Sequence, residues 1–280
     1  QLTCMVLALA SLACPVAASA QSKSMQKRVS ACFLQSLKAQ QAVLEKEGRG
    51  EFVQNLPADI RLQEAVKSAD VARYQEMVWA AWCDANRNLQ EQKLIGAEDL
   101  QLGRSDAWNL PGCLEPNAVM PYYYGKKGEA AGGKLPLYLY LHGSGPKDAE
   151  WQTGIKLGQS FQDAPSIYFI PQIPNEGEYY RWWHLSKQYA FEKLIRQGLA
   201  SGEVDANRLY VFGISEGGYG SQRLASFYAD YWAAAGPMAG GEPLKNAPVE
   251  NCANIGFSFL TGADDMGFYR NELTYYPSSG

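Results

Sequence analysis

A serine between two glycines is the clearest chemical feature of this 280-residue sequence. The stretch "GISEGG" places Ser215 after an apolar, strand-like run and before a helix-like pattern, with Gly213 and Gly217 on either side. A tight turn between a strand and a helix lifts a serine out of the sheet edge and exposes its Oγ. Glycine is needed at both flanking positions, because a Cβ there would clash in the strained turn. The pattern predicts a nucleophile that attacks a carbonyl carbon, with an ordinary glycine-rich turn as the alternative.

A second element lies some seventy residues upstream, where the apolar run "LPLYLYL" ends in "HGSGP". We expect this loop to supply one half of an oxyanion hole, the pair of N–H groups that binds the negative oxygen formed during attack. The predicted donors are the backbone N–H groups of Ser144 and Glu216. His142 is expected to shape the loop rather than to act as the base.

A third element is "IGFSFLTGADDMGFY", a strand-like run that ends in two aspartates. A carboxylate at this place is suited to holding an imidazole in the correct tautomer. We favour Asp265 for that role, with Asp264 as the alternative. Aspartate is also common after strands, so two solvated loop carboxylates remain the other interpretation.

An aromatic cluster, "YYRWWHLSK", follows the strand-like run "SIYFIP". Ligands bind beyond the carboxyl ends of strands in open α/β sheets. Trp182 and Trp183, together with His142, are therefore predicted to contact substrate. Ordinary packing of aromatic side chains against the sheet is the alternative.

The elements that must position these residues follow an α/β pattern. Short apolar runs alternate with helical patterns, which predicts a mostly parallel sheet flanked by helices. Strands are predicted at 135–141, 166–171, 208–213, 233–238 and 255–261, and helices at 185–200 and 218–231. Residues 21–110 are predicted to form a helical region before the catalytic domain at 111–280. Its clearest helix has one apolar face, formed by Tyr74, Met77, Val78, Ala81 and Trp82.

Residues 135–265 resemble the α/β-hydrolase superfamily through "LHGSGP", "RLYVFGISEGGYGS", "YWAAAGPMAGGEP" and "LTGADD". Within it they look like exported serine esterases similar to polyhydroxybutyrate depolymerases, feruloyl esterases and "predicted peptidase" proteins. The resemblance implies a nucleophile at Ser215, an acid at Asp265, oxyanion N–H groups at Ser144 and Glu216, and a histidine after the acid. It implies no metal and no organic cofactor.

The expected histidine is missing from its place in the chain order. The two histidines of the sequence, His142 and His184, both precede Ser215. Because both ends of the sequence look cut, we expect the base, with the last strand and helix of the fold, to lie beyond residue 280. The alternatives are a rearranged triad that uses His184 and a protein without catalysis.

The predicted activity is hydrolysis of small-molecule or polysaccharide-linked carboxylic esters by a serine hydrolase through an acyl-enzyme. The second glycine, Gly218, also suits a serine peptidase of the prolyl-oligopeptidase type, and a non-catalytic binding protein is a third interpretation. The formal net charge of −4 offers no basic face, which argues against a nucleic-acid partner. The oligomeric state is left open.

Residues 1–20 are apolar, lack charged residues and end in "ASA", which indicates a signal peptide cleaved before Gln21. We therefore expect a periplasmic or secreted protein without a membrane anchor. Four cysteines, Cys32, Cys83, Cys113 and Cys252, then remain. They allow two disulfides in three connectivities, with buried thiols as the alternative.

Overall fold

The computed structural model describes residues 18–47, 66–129, 133–163 and 165–278. The chain divides into two compact units between Glu91 and Gln92. Residues 1–17, and with them most of the predicted signal peptide, lie outside the described residues. Among the residues that are described, we find no helix with the length and apolar character that a membrane span requires.

The described residues of the first unit form two α-helices, α1 (Ala18–Glu47) and α2 (Val71–Asn88). Their contact is apolar: Val29 of α1 is buried against the face of α2 that carries Met77, Val78 and Ala81. Tyr74 packs on the same cluster, half-buried. Four of the five residues of the predicted apolar face therefore pack in this cluster, whereas Trp82, the fifth, stacks on Trp79.

The described residues of the second unit form eight strands, β1 (Glu98–Asp99), β2 (Ser105–Asn109), β3 (Val119–Lys127), β4 (Leu135–Leu141), β5 (Ser166–Pro171), β6 (Val204–Ile214), β7 (Ala234–Met238) and β8 (Gly256–Phe257). They build one sheet in the order β1-β3-β5-β4-β6-β7-β8, with β2 paired to β3. The strands β4 to β8 are all parallel to one another, whereas β3 runs antiparallel to both β5 and β2. The helices of this unit are α3 (Lys147–Ser160), α4 (Leu185–Ser201), α5 (Glu216–Phe227) and α6 (Arg270–Ser278). The predicted α/β architecture is confirmed.

The boundary between the units lies earlier than the predicted boundary after residue 110. The physical reason is that β1 and β2 both pair with β3 and so belong to the sheet. The strand predicted at 255–261 is also shorter than expected. Only Gly256–Phe257 pairs continuously with β7, and a single bridge from Met238 to Leu260 extends it.

The parallel strands bring their carboxyl ends to one edge of the sheet. Leu141 of β4 pairs with Gly213 of β6, and Gly213 pairs in turn with Pro237 of β7. The loops after β4, β6, β7 and β8 therefore start side by side. This edge is where an open α/β sheet offers a site for a ligand.

Two of the four cysteines predicted to pair do not form disulfides. Cys32 is an exposed thiol of the first unit, and Cys252 is a buried thiol of the second. Burial raises the pKa of the Cys252 thiol, which keeps that group protonated and unreactive. The predicted arrangement of two disulfides is therefore wrong for this structure.

Candidate active site

Ser215 occupies a strained turn between β6 and α5, as the sequence predicts. Its backbone has φ 52° and ψ −114°, and its side chain is only half-buried. The Ser215 N–H donates to the carbonyl of Met238 at 2.9 Å, and its own carbonyl accepts from the N–H of Tyr219 at 3.0 Å. A positive φ at a residue other than glycine costs about 1–3 kcal/mol, so the surrounding contacts must hold this conformation.

The glycines around Ser215 are explained by close backbone contacts. A Cβ at Gly213 would lie 2.5 Å from the carbonyl oxygen of Leu141, and one at Gly217 would lie 1.9 Å from the same oxygen. A Cβ at Gly218 would lie 2.4 Å from the oxygen of Met238. The first turn of α5 is therefore wedged between the ends of β4 and β7. Gly218 has a packing role of its own, so it no longer favours a peptidase.

The loop after β4 is held in place by the carboxylate of Glu150, in the first turn of α3. Its two oxygens accept hydrogen bonds from the N–H groups of Gly143, at 3.1 Å, and Gly145, at 3.2 Å. The hydroxyl of Tyr180 lies within 2.9 Å of the carbonyl oxygens of the same two glycines. The backbone groups of Gly143 and Gly145 are thus held by two side chains from outside the loop, those of Glu150 and Tyr180.

Ser144 lies between these two fixed glycines and is exposed. Within the described part of the chain, neither its N–H nor that of Glu216 donates to a protein acceptor. The contact between Gly217 and Leu141 brings the two segments together. Both predicted oxyanion donors are therefore unoccupied N–H groups on adjoining segments.

The side chain of Glu216 contacts Arg181. Its Oε1 lies 3.5 Å from Nη1 of Arg181, and the side chain is 12% exposed. Burial raises the pKa of the Glu216 carboxyl, and Arg181 partly opposes that rise. The carboxylate of Glu216 thus contacts Arg181, while its backbone N–H has no protein acceptor within the described residues.

Asp265 lies close to Ser215 through a third residue, Arg270. The Arg270 guanidinium places Nη1 3.3 Å from Oδ2 of Asp265 and Nη2 3.5 Å from Oγ of Ser215. Asp264 is exposed and makes none of these contacts. Of the two aspartates, Asp265 is therefore the one that shares a contact residue with Ser215.

Within the described residues, neither histidine forms a hydrogen bond with Ser215. His142 is fully buried, with Nδ1 2.7 Å from the carbonyl of Gly143 and Nε2 3.1 Å from the N–H of Ile173. These partners fix a neutral ring with the proton on Nδ1, and burial lowers the pKa of His142 to about 4. His184, at the start of α4, contacts the hydroxyl of Ser186 at 3.3 Å. His142 thus shapes the loop, as predicted.

The predicted substrate contacts of His142 and Trp182 need correction. Both side chains are 0% exposed. Trp182 donates from Nε1 to the carbonyl of His142 at 2.9 Å and packs where a Cβ at Gly220 would lie, 2.5 Å from its own Cβ. Trp183 remains half-buried, with the guanidinium of Arg223 4.1 Å from its ring. The packing interpretation therefore holds for His142 and Trp182.

Sequence reasoning missed four residues at this edge: Glu150, Tyr180, Tyr219 and Arg270. Tyr180 belongs to the aromatic cluster "YYRWWHLSK", but nothing in its spacing indicates that it holds the loop after β4. Arg270 lies 55 residues after Ser215, and no local period connects the two. Contacts of this kind depend on the tertiary fold.

The strand order and the strained serine between β6 and α5 are those of the α/β-hydrolase fold.

No family model and no curated protein matches the chain. Among solved structures, a thermostable esterase is similar at TM-score 0.43 and 19% identity, over 63% of this chain and 59% of that one. A ferulic acid esterase is similar at TM-score 0.47 and 16% identity, over 63% of this chain and 84% of its own. The BES protein from Bacillus cereus gives TM-score 0.44 and 16% identity, with coverages of 69% and 87%. The chain thus spans about three fifths of the thermostable esterase, and likenesses at these scores assign no activity.

Proposed function

We propose that this protein is an exported serine hydrolase that cleaves carboxylic esters, with Ser215 as the nucleophile. The observation that carries the proposal is the strained turn that holds Ser215 at the sheet edge. Beside it lies the loop after β4, which Glu150 holds in place and in which the Ser144 N–H has no protein acceptor among the described residues. Strain at a single non-glycine residue is typical of functional sites. Here the strained residue is half-buried, and its Oγ contacts Arg270.

In the proposed reaction, Oγ of Ser215 attacks the ester carbonyl carbon and a tetrahedral oxyanion forms. The N–H groups of Ser144 and Glu216 donate to that oxygen. Loss of one such donor typically costs about 3 kcal/mol of transition-state stabilisation. Collapse of the intermediate expels the alcohol and leaves an acyl group on Ser215, which water then removes.

The reaction needs a base for Ser215, and we propose a histidine outside the 280 residues, oriented by Asp265. Two observations support this. Asp265 lies beside the nucleophile through Arg270. Both histidines of the sequence are engaged in other contacts. Arg270 cannot itself be the base, because a guanidinium stays protonated throughout the physiological range.

Export to the periplasm or the medium, following the sequence of residues 1–20, suggests substrates from outside the cell. We propose small-molecule or polysaccharide-linked esters as that class. The half-exposed Trp183 is the one predicted substrate contact that remains open to such a group.

The test is turnover of p-nitrophenyl acetate by the protein in the form that its gene encodes. We expect hydrolysis that Ser215→Ala reduces at least about a thousandfold, in line with loss of a catalytic nucleophile. Ser160→Ala is the matched control, because the Ser160 hydroxyl only bonds the carbonyl of Leu157 at the end of α3. Equal turnover by the unsubstituted protein and Ser215→Ala would reject the proposal.

A second candidate is a binding protein that keeps the hydrolase fold without catalysis. The observation in its favour is that Arg270, which is not a base, is the side chain that contacts Oγ of Ser215. This candidate predicts no Ser215-dependent turnover of any ester. Tight binding of an unreactive ester analogue without hydrolysis of the ester itself would support it.

A further inference from the structure

Arg270 places a positive charge at the nucleophile, although ester hydrolysis by a serine does not require one. Its Nη2 lies 3.5 Å from Oγ of Ser215, at the outer limit of a hydrogen bond. Arg270 is the first residue of α6, and its side chain is 14% exposed. The Arg270 side chain is therefore largely, but not completely, shielded from bulk water.

Three neighbours hold the guanidinium in this position. Nε donates to the hydroxyl of Tyr219 at 3.1 Å, and Nη1 donates to Asp265 at 3.3 Å. The ring of Phe268 lies 4.4 Å from the guanidinium carbon. Burial alone would lower the pKa of Arg270, but the hydrogen bonds to Tyr219 and Asp265 raise it. The group is thus a fixed cation.

The three contacts leave part of the hydrogen-bonding capacity of the guanidinium unused. A guanidinium has five N–H donors in a planar fork. Tyr219, Asp265 and Ser215 account for three of them. The remaining donors suit a carboxylate, which matches the fork geometry better than a neutral group does.

We propose that Arg270 is a specificity-determining residue that selects esters whose acyl part carries a carboxylate. The inference rests on the proposed esterase function. In an acyl-enzyme the acyl carbon is bonded to Oγ of Ser215, so a carboxylate a few bonds along the acyl chain reaches the guanidinium. Half-esters of short dicarboxylic acids, such as hydrogen succinates, have this chemistry.

The first test is binding, measured by calorimetry in a Ser215→Ala background that cannot turn over. Monomethyl succinate and dimethyl succinate share one skeleton and differ by one negative charge. We expect the monoanion to bind at least about tenfold more tightly, which corresponds to one charge-assisted hydrogen bond. Equal affinities, or tighter binding of the neutral diester, would overturn the inference.

Substitutions assign the preference to Arg270. Arg270→Met should bring the two affinities within about twofold of each other, whereas Arg270→Lys should retain part of the preference, because it keeps the charge without the fork. Arg104→Met removes the same charge from an exposed pair with Glu98 and should keep the full preference. An unchanged preference in both Arg270 variants would reject the assignment, even if one of them folded poorly.

Turnover separates this inference from the proposed function. For the form with esterase activity, the ratio of kcat/KM for p-nitrophenyl hydrogen glutarate to that for p-nitrophenyl butyrate should fall about tenfold in Arg270→Met. An active esterase with no preference for the anion would reject the inference alone. Anion-selective binding without Ser215-dependent turnover would reject the esterase alone.

Discussion

Gly217 approaches the carbonyl oxygen of Leu141 so closely that an added Cβ would lie 1.9 Å from it. Both partners are backbone, so neither can rotate away. Gly217→Ala should therefore lower the free energy of unfolding by at least about 3 kcal/mol, at the upper end of overpacking effects. Urea unfolding measures this. Gly112→Ala, where a Cβ meets nothing within 4 Å, should change stability by less than about 0.5 kcal/mol, and a similar small loss for Gly217→Ala would contradict the contact.

The backbone strain at Ser215 should appear as a difference in stability between two variants. At φ 52° any Cβ is strained, so Ser215→Ala keeps the strain and Ser215→Gly relieves it. We expect Ser215→Gly to be more stable than Ser215→Ala by about 1 kcal/mol, despite the greater flexibility of glycine in the unfolded chain. Thermal unfolding of the two variants gives the comparison. If Ser215→Ala is the more stable of the two, the backbone at 215 is not strained.

Glu150 should act on catalysis only through the loop after β4. Because its carboxylate fixes Gly143 and Gly145, Glu150→Ala should let the Ser144 N–H move away from the oxyanion. We expect kcat to fall about tenfold to a hundredfold while KM changes by less than about threefold, since the donor acts in the transition state. Steady-state kinetics on a p-nitrophenyl ester measures both constants.

The control for that experiment is Asp148→Ala. It removes a carboxylate from the same turn of α3, one that accepts from Gln172 instead of from the loop. Its kcat should stay within about twofold of the unsubstituted value. An equal fall in kcat for both variants would show a general effect on α3.

His142 should make stability depend on pH. Its pKa is about 4 in the folded protein against an ordinary 6.5, because burial disfavours the charged ring. As the pH falls from about 6.5 to about 4, the unfolded chain binds a proton that the folded protein does not. The free energy of unfolding should therefore drop by about 3 kcal/mol over this interval and then stop changing from this cause.

The measurement for His142 is a series of urea unfolding curves from pH 7 to pH 4, for the unsubstituted protein and His142→Gln. Glutamine offers an acceptor for the N–H of Ile173 but does not titrate. The difference in stability between the two proteins should shrink as the pH falls, while effects of other groups cancel. A difference that stays constant across the interval would contradict a neutral, buried His142.

Much of the sheet could be predicted because several of its strands have a recognisable local sequence pattern. The bounds of β4 and β5 match the predicted runs 135–141 and 166–171, since strands buried on both faces read as continuous apolar stretches. The turn at Ser215 was equally predictable, because its glycines are required by contacts at the two adjacent strand ends. Weakly patterned elements such as α3 and α6 were not predicted, and β1 was too short to give a signal.

Some residues of the candidate site could also be predicted from the sequence, and others could not. Ser215, the Ser144 loop and Asp265 each follow a strand-like run that is recognisable in the sequence, and this context allowed them to be proposed. The roles of His142, Trp182, Tyr180 and Arg270 depend on which neighbours the fold supplies. Aromatic residues near a strand end can either line a substrate pocket or pack against the sheet. Trp182 is fully buried, so its side chain packs.

The most direct measurement is a crystal structure of the protein, in the form its gene encodes, after reaction with diethyl p-nitrophenyl phosphate. We predict a phosphoryl group on Oγ of Ser215, with one phosphoryl oxygen about 3 Å from the N–H groups of both Ser144 and Glu216. A phosphoryl group on another residue, or one whose oxygen faces neither N–H, would contradict this prediction.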